Sequence, residues 1–272
     1  VGAGFLSLLP ELDTPIVDAL PDERTTGRRL ELARRIVDPR NPLASRVWVN
    51  RLWQGHFGYG LVRSSDNFGF LGDRPTHPEL LDRLAASLGR SSPAESTSDR
   101  GLGDGTSKRL HRLIVTSAAY RRSSEHPASE RAASIDADNR LLWRYDRRRL
   151  DAEGIRDSLL TLSGELDLRM GGPGFRPTLA KEVLEGLSRR DAAWSPSPPS
   201  EQRRRAVYEY TSRSLIDPLL TTFDVADTTM SCSRREQSIV APQALALLND
   251  PFVARLAAAT VDDLFAQVGV GS

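Results

Sequence analysis

Cysteine is almost missing from this chain: Cys232 is the single thiol in 272 residues, which excludes an internal disulfide and a cysteine-rich metal site. Lysine is nearly as scarce, at positions 108 and 181 only, so the 37 basic residues are almost all arginine. They face 36 acidic residues, and a net charge of +1 gives no overall electrostatic reason to expect nucleic acid. No apolar run reaches the about 18 residues needed to cross a bilayer, so no membrane span is expected. Cys-x-x-Cys-His occurs nowhere, so no c-type haem attaches here and no cofactor of this chain's own is expected. A Gly-x-Ser-x-Gly elbow, a phosphate loop and a dinucleotide fingerprint are also missing. The opening VGAGFLSLL has neither an initiator Met nor a basic segment, which reads as an extension from a longer protein rather than a signal peptide.

What is present describes an ordinary globular protein, 39% hydrophobic and 27% charged, long enough for a proper core. Helical spacing dominates. Leu30, Ala33 and Val37 share one face of a segment that stops at Asp38-Pro39. Leu110, Leu113, Ile114 and Ser117 mark another helix, and Ile155, Leu159, Leu162 and Leu166 a third, before Gly171-Gly172-Pro173. Pro242 opens a short apolar helix and Val253–Val268 forms the last. Residues 205–216 are the best strand candidate. No βαβ alternation appears, so the expectation is a mainly α fold, one globular helical domain over 26–268 after an N-terminal extension at 1–25. Two polar stretches, 90–107 and 188–203, read as loops, with Trp194 as the only anchor in the second.

Residues 41–80 stand apart. They hold two Trp, three Phe, one Tyr and two His, in a chain only 6% aromatic. Asn41-Pro42 is a helix start, with Asn as the cap and Pro in the first turn. Val49, Leu52, Trp53 and His56 follow on one face, and Gly58 and Gly60 stop the helix. Thr76-His77-Pro78-Glu79 has the spacing of a capping box.

The block NPLASRVWVNRLWQGHFGYGLVRSSDNFGFLGDRPTHPELLDRLA resembles the opening motif of the planctomycete PSD1 domain, also called DUF1553. RLHRLIVTSAAYRRSS at 109–124, DNRLLWRYDRRRLDAEGIRDSLLTLSGELDLRMGGP at 138–173 and FDVADTTMSCSRREQSIVAPQALALLNDPFV at 223–253 are similar to later blocks of that family, in order. One departure is the polar segment 87–107, which lacks a Gly-Trp-Ser-like turn found in the family. The resemblance implies context more than chemistry. Such domains end large exported proteins, after a DUF1549-like domain and a c-type cytochrome domain that would hold haem. Those two domains are the implied partners, and the implied location is extracytoplasmic, in the periplasm or at the cell surface.

Candidate chemistry is sparse. His56, beside Trp53, suits a general base or a metal ligand, against the plainer role of a boundary histidine with one hydrogen bond. His77, His111 and His126 share no ligand spacing with it, so no metal site is expected. Asp66 and Asn67 lie in a glycine-bounded turn with Arg63 and Phe68. An acid, an amide, an arginine and aromatic rings such as Trp53 suit a polyhydroxylated ligand, and a simple Asx-type turn explains the turn residues as well. Asp151, Glu153, Arg156 and Asp157 stand near Arg147-Arg148-Arg149 as a salt-bridge lattice at a helix start. Cys232 is either a thiolate activated by Arg234 and Arg235 or a small buried residue; those arginines alternatively pair with Asp224 or Asp227.

Two readings follow. One is a binding or scaffolding module that contacts glycans or the neighbouring DUF1549 domain. The other is part of an extracytoplasmic enzyme acting on polysaccharide, with His56 and Asp66 as candidate catalytic residues.

Overall fold

The residues that begin and end helices are the most legible part of the architecture. In the computed structural model, which describes residues 5–15, 26–88, 106–127, 129–185, 194–213 and 215–268, the chain divides into two compact units, 1–148 and 149–272. Among the described residues there is helix and irregular chain, with no strand and no single helix long and apolar enough to cross a membrane. The mainly α expectation holds.

The first unit contains α1 (Arg28–Ile36), α2 (Pro42–Phe57), α3 (Pro78–Leu88), α4 (Thr106–Val115) and α5 (Ser129–Ile135). Asn41 caps α2 as expected, its Oδ1 accepting from Leu43 N at 3.0 Å. Its Nδ2 reaches back to the carbonyls of Arg35 and Ile36, at 3.1 and 3.2 Å, so one amide both ends α1 and starts α2. Gly58 closes α2 at φ 84°, a left-handed conformation that costs a side chain and suits glycine. Against α2 pack α3 and α4, burying Val49, Trp53, Phe57, Leu81, Leu84, Leu110 and Ile114. Each fully buried large side chain contributes about 2 kcal/mol by leaving water.

Residues 5–15, expected to be linker, are held to α1: Arg35 donates to the Leu12 and Thr14 carbonyls at 2.9 and 2.7 Å, and Leu12 is buried. The capping box does not form as expected. Thr76 turns instead to Leu61, with N–H to carbonyl at 2.8 Å, and its hydroxyl meets His77 Nδ1 at 3.0 Å.

The second unit contains α6 (Ala152–Leu162), α7 (Lys181–Glu185), two 3-10 turns (Glu201–Arg203 and Ala206–Tyr208), α8 (Pro218–Thr222), α9 (Ala241–Asn249) and α10 (Pro251–Val268). Asp151 caps α6, accepting from Gly154 N at 3.0 Å. Its core joins Ala152, Leu219, Leu220, Phe223 and Val253. The strand candidate at 205–216 is replaced by a 3-10 turn flanked by isolated bridges, Asp167 with Arg204 and Phe175 with Glu209. Its alternating pattern marks a strap laid along the unit, not a sheet. The loop expected at 90–107 lies outside the described residues until Thr106, which begins α4. The loop expected at 188–203 is described from Trp194, whose indole N–H holds the Pro177 carbonyl at 2.9 Å, the anchoring role foreseen for it.

Asn50, on α2, is 0% exposed, and its amide makes both bonds to Val62: Nδ2 to the carbonyl at 3.0 Å and Oδ1 from the N–H at 2.8 Å. Gly60 passes so close to this amide that any side chain there would collide with it. Asn50→Ala strands both Val62 groups, and a loss of about 2–4 kcal/mol is expected in urea unfolding.

Candidate functional site

The turn from Arg63 to Phe70 is closed by its own atoms. Asn67 Oδ1 accepts from Gly69 N at 3.0 Å, an Asx turn. Ser64 Oγ donates to the Asn67 carbonyl at 2.8 Å and accepts from Asp73 N at 2.7 Å. Asp66 is exposed, and Phe70 and Leu71 project into solvent. Arg63 leans over the Tyr59 ring, 4.6 Å to its centre, and donates to the Asp138 carbonyl at 2.8 Å. Trp53 is 6% exposed and stacks on Phe57 at 4.3 Å, so its ring belongs to the core rather than to a ligand platform. Trp53 and Arg63 do share a cavity, of about 20 Å³, with Tyr59, Asn139 and Asp146, but it has room for one water. Asp66 and Asn67 do not line it.

His56 faces elsewhere. Its Nε2 lies 2.7 Å from His111 Nδ1 on α4, and its ring meets the Tyr120 ring edge-on at 5.6 Å. Tyr145 donates its hydroxyl to the His56 carbonyl at 2.8 Å, and Arg148 donates to the Gln54 and Gly55 carbonyls at 3.4 and 3.3 Å. The end of α2 is thereby tied to α4 and to the segment 120–148. Burial, followed by the charges of His111 and Arg148, pushes His56 below its ordinary range, so it is neutral near pH 7. Burial and then Tyr120 push the Tyr145 phenol up, which keeps it a donor. The two imidazoles are placed to pass a proton, but no carboxylate is among the partners described for the pair. Among the described residues no three His, Cys, Asp or Glu side chains are grouped to hold a metal. The sequence showed no ligand spacing between His56 and His111, and it gave no sign that Tyr120, Tyr145 and Arg148, far off in the chain, come to the end of α2.

Against this geometry, a model of the PSD1 family, described as a protein of unknown function (DUF1553), matches residues 28–269. The chain belongs to the PSD1 family. No curated protein and no solved structure matches it.

In this PSD1 chain the lattice expected around Asp151 forms in part, with Arg156 and Asp157 3.9 Å apart and Arg235 joining Asp151 at 4.0 Å to Glu153, while its other partners lie elsewhere. Asp151 is spent as a cap, Glu153 pairs with Arg235 at 2.5 Å, and Asp157 accepts from Ala206 N at 2.7 Å. Arg149 binds Asp224 at 2.6 Å, and Asp224 also takes the Ser238 N–H at 2.7 Å, so the acid expected to meet Arg234 or Arg235 is already occupied. Arg156 is buried with Glu209, 3.1 Å from Nε to Oε2 and each side chain 3% exposed. Cys232 is exposed, not the small buried residue that was one alternative.

The PSD1 chain's one large concavity among those described lies in unit 1. It is an apolar groove of about 950 Å³ between α1, the first half of α2 and residues 5–6, lined by Phe5, Leu6, Leu32, Ile36, Val37 and Trp48. Leu30 and Val37, read from the sequence as sharing one face of this helix, are exposed, and so are Leu32 and Ile36, which line the groove.

Two outcomes follow for the predicted residues. His56, held low, keeps its full contribution to stability above its ordinary value of 6.5, and loses it as the pH falls below that. His56→Gln should flatten that acid loss when urea midpoints are compared at about pH 7.5 and about pH 5.5. Asp66→Ala, at an exposed position, should change unfolding stability by less than about 0.5 kcal/mol.

Proposed function

We propose that this PSD1 domain is a binding module, without catalysis of its own, that docks an apolar segment of a neighbouring protein domain in the groove of unit 1. The groove carries this reading. Its size falls in the range of built binding sites, and its lining is aliphatic with Trp48 and Phe5 as the aromatic contributions. A sugar chain needs several hydroxyl partners beside its stacking rings, and the lining supplies few polar side chains, among them Asp38, Asn41, Ser45 and Arg51. Asp38 is paired with Arg40 at 2.8 Å and Asn41 is consumed as a cap. An apolar protein surface is the better match, and glycan contact is the weaker form of the binding reading.

The occupant follows from position. Phe5 and Leu6 line the groove, and this supports an occupant that would be joined on the N-terminal side. The resemblance supplies such a domain, the DUF1549-like one, with a haem-bearing cytochrome c-like domain farther along and an extracytoplasmic setting. The polysaccharide-enzyme reading has no comparable support, since His56, Asp66 and Arg63 each have separate surroundings.

The test uses the full chain and a separately produced DUF1549-like domain, with affinity measured by calorimetry. Leu32 and Ile36 are exposed, so Leu32→Asp with Ile36→Asp leaves the fold intact, checked by circular dichroism. Binding should weaken by about 10-fold or more. Equal affinity would exclude the groove. Glycan binding that disappears in Asp66→Ala would move the site to the turn at 63–70.

A further inference from the structure

One side of α10 is buried and the other is left in water. Val253 and Leu256, at 6% and 1% exposure, are covered where α10 packs on α6 and α9. Turned away from them, Ala254, Ala258, Val261 and Phe265 are all exposed. Their steps of four, three and four residues are the spacing of a coiled-coil seam, which keeps one stripe of a helix facing a partner. Leu264, 54% exposed, stands at one edge of the stripe. From Val261 to Gln267 every residue is exposed, so the last turns of the helix gain little support from unit 2. Helix in that state is marginal in water, and an apolar stripe along it calls for a covering surface.

The charges beside the stripe point to what covers it. Arg255 and Asp262 are two helical turns apart and share the edge opposite to Leu264. Arg255 is half-exposed and spends only Nη1 on Glu165, at 2.8 and 2.9 Å from its two oxygens, which leaves Nε and Nη2. Asp262 is exposed and has no ion pair among the described residues. When two copies of a helix pair antiparallel about a two-fold axis, like edges lie side by side with the chain direction reversed. An axis between Ala258 and Ala259 sets each Arg255 level with the second copy's Asp262, so opposite charges meet twice. The same axis lays Phe265 beside the second copy's Ala254 and Val261 beside its Ala258, each large side chain against a small one. A parallel pair does neither. It sets Phe265 against Phe265 and turns the charged edge toward Ala257 and Leu264.

We propose that α10 is a homodimer interface, in which two copies of this chain pair their α10 helices antiparallel about an axis between Ala258 and Ala259. The surface is separate from the groove, which lies in unit 1. Stable interfaces bury about 1,200–2,000 Å² in total, and one helix face from each copy supplies no more than the lower end of that range. The dimer is therefore weak, with a Kd on the order of 10–100 µM.

Sedimentation equilibrium of the full chain tests this, from about tenfold below that constant to about tenfold above it. The wild type should pass from monomer to dimer and no further, because a two-fold pair is closed. Phe265→Glu, at an exposed position and with its fold checked by circular dichroism, should weaken the dimer by about 10-fold or more. Arg255→Asp and Asp262→Arg each set like charges side by side, and each should weaken it by about 3-fold. Together they restore opposite charges, and the double variant should dimerise more tightly than either single one. Arg255→Asp also gives up Glu165 within the chain, a loss that the double variant keeps, so its recovery reads the contact between copies. A wild type that stays monomeric throughout, which would leave the stripe to a different protein, overturns the pairing. So does a dimer that Phe265→Glu leaves unchanged, or a double variant no tighter than the single ones. Should Phe265→Glu fail to fold, Val261→Glu, also exposed, is read by the same criterion.

Discussion

Burying the Arg156 guanidinium removes a permanent charge from water, and an isolated charge in a protein interior costs several kcal/mol unless its surroundings replace the lost hydration. Much of unit 2 is arranged to meet that demand. The rings of Phe175 and Phe252 lie 4.9 and 5.3 Å from the guanidinium carbon, and the carbonyls of residues 202 and 204 take its outer N–H groups. This explains why 201–210 is an irregular strap rather than a strand: the Gln202 and Arg204 carbonyls are turned toward a side chain on α6, and only isolated backbone pairs, such as those at Arg203 and Tyr208, meet neighbouring chain. The 3-10 turns at Glu201–Arg203 and Ala206–Tyr208 are the local form that keeps such a chain compact.

Unit 1 meets a related demand with neutral groups. Asn41 and Asn50 are both buried, and each saturates backbone at two places, one at the α1–α2 junction and one at the exit from α2. Two amides thus fix where α2 begins and where the following chain turns back. The aromatic density of 41–80 is then used for packing around a rod whose ends are already set: Trp53 and Phe57 inside, Tyr120 and Tyr145 closing over the end. Trp48 and Tyr59 stay partly outside that packing, and Phe70 and Leu71, at the tip of the turn, stay wholly outside it.

The helices that sequence made legible are those whose ends carry local chemistry, or whose length gives periodicity time to show. The Asn-Pro start and Gly58 stop of α2 are contained in the residues themselves, and α6 and α10 are long enough to show a face. α5, α7 and α8 were missed because seven, five and five residues hold too little pattern. Partners were the least legible feature. Asp151, Glu153, Arg156 and Asp157 looked like a local lattice, yet Glu153 reaches Arg235, Arg156 reaches Glu209 and Asp157 reaches Ala206. Helical spacing says which side chains share a face and nothing about what the fold later brings opposite. The turn at 63–70 shows the converse: Asn67 is used as an Asx turn, the plainer of the two readings that the sequence allowed.

Strongly perturbed titratable groups often mark catalytic sites, because burial and charge are how an enzyme sets a proton affinity. Here they do not carry that inference. Glu209 is the most displaced carboxyl, and its side chain is 3% exposed, sealed by Arg156 and the strap, where no substrate reaches. His56, the perturbed imidazole, is satisfied by His111 and has no acid among its described partners. Asp66, which is exposed enough to meet a ligand, has neither of them beside it. Reactivity and access therefore fall on different residues, whereas a catalytic constellation needs both on the same ones. The groove reverses the pattern: it has access and apolar area and little titratable chemistry, which is the profile of a surface that binds.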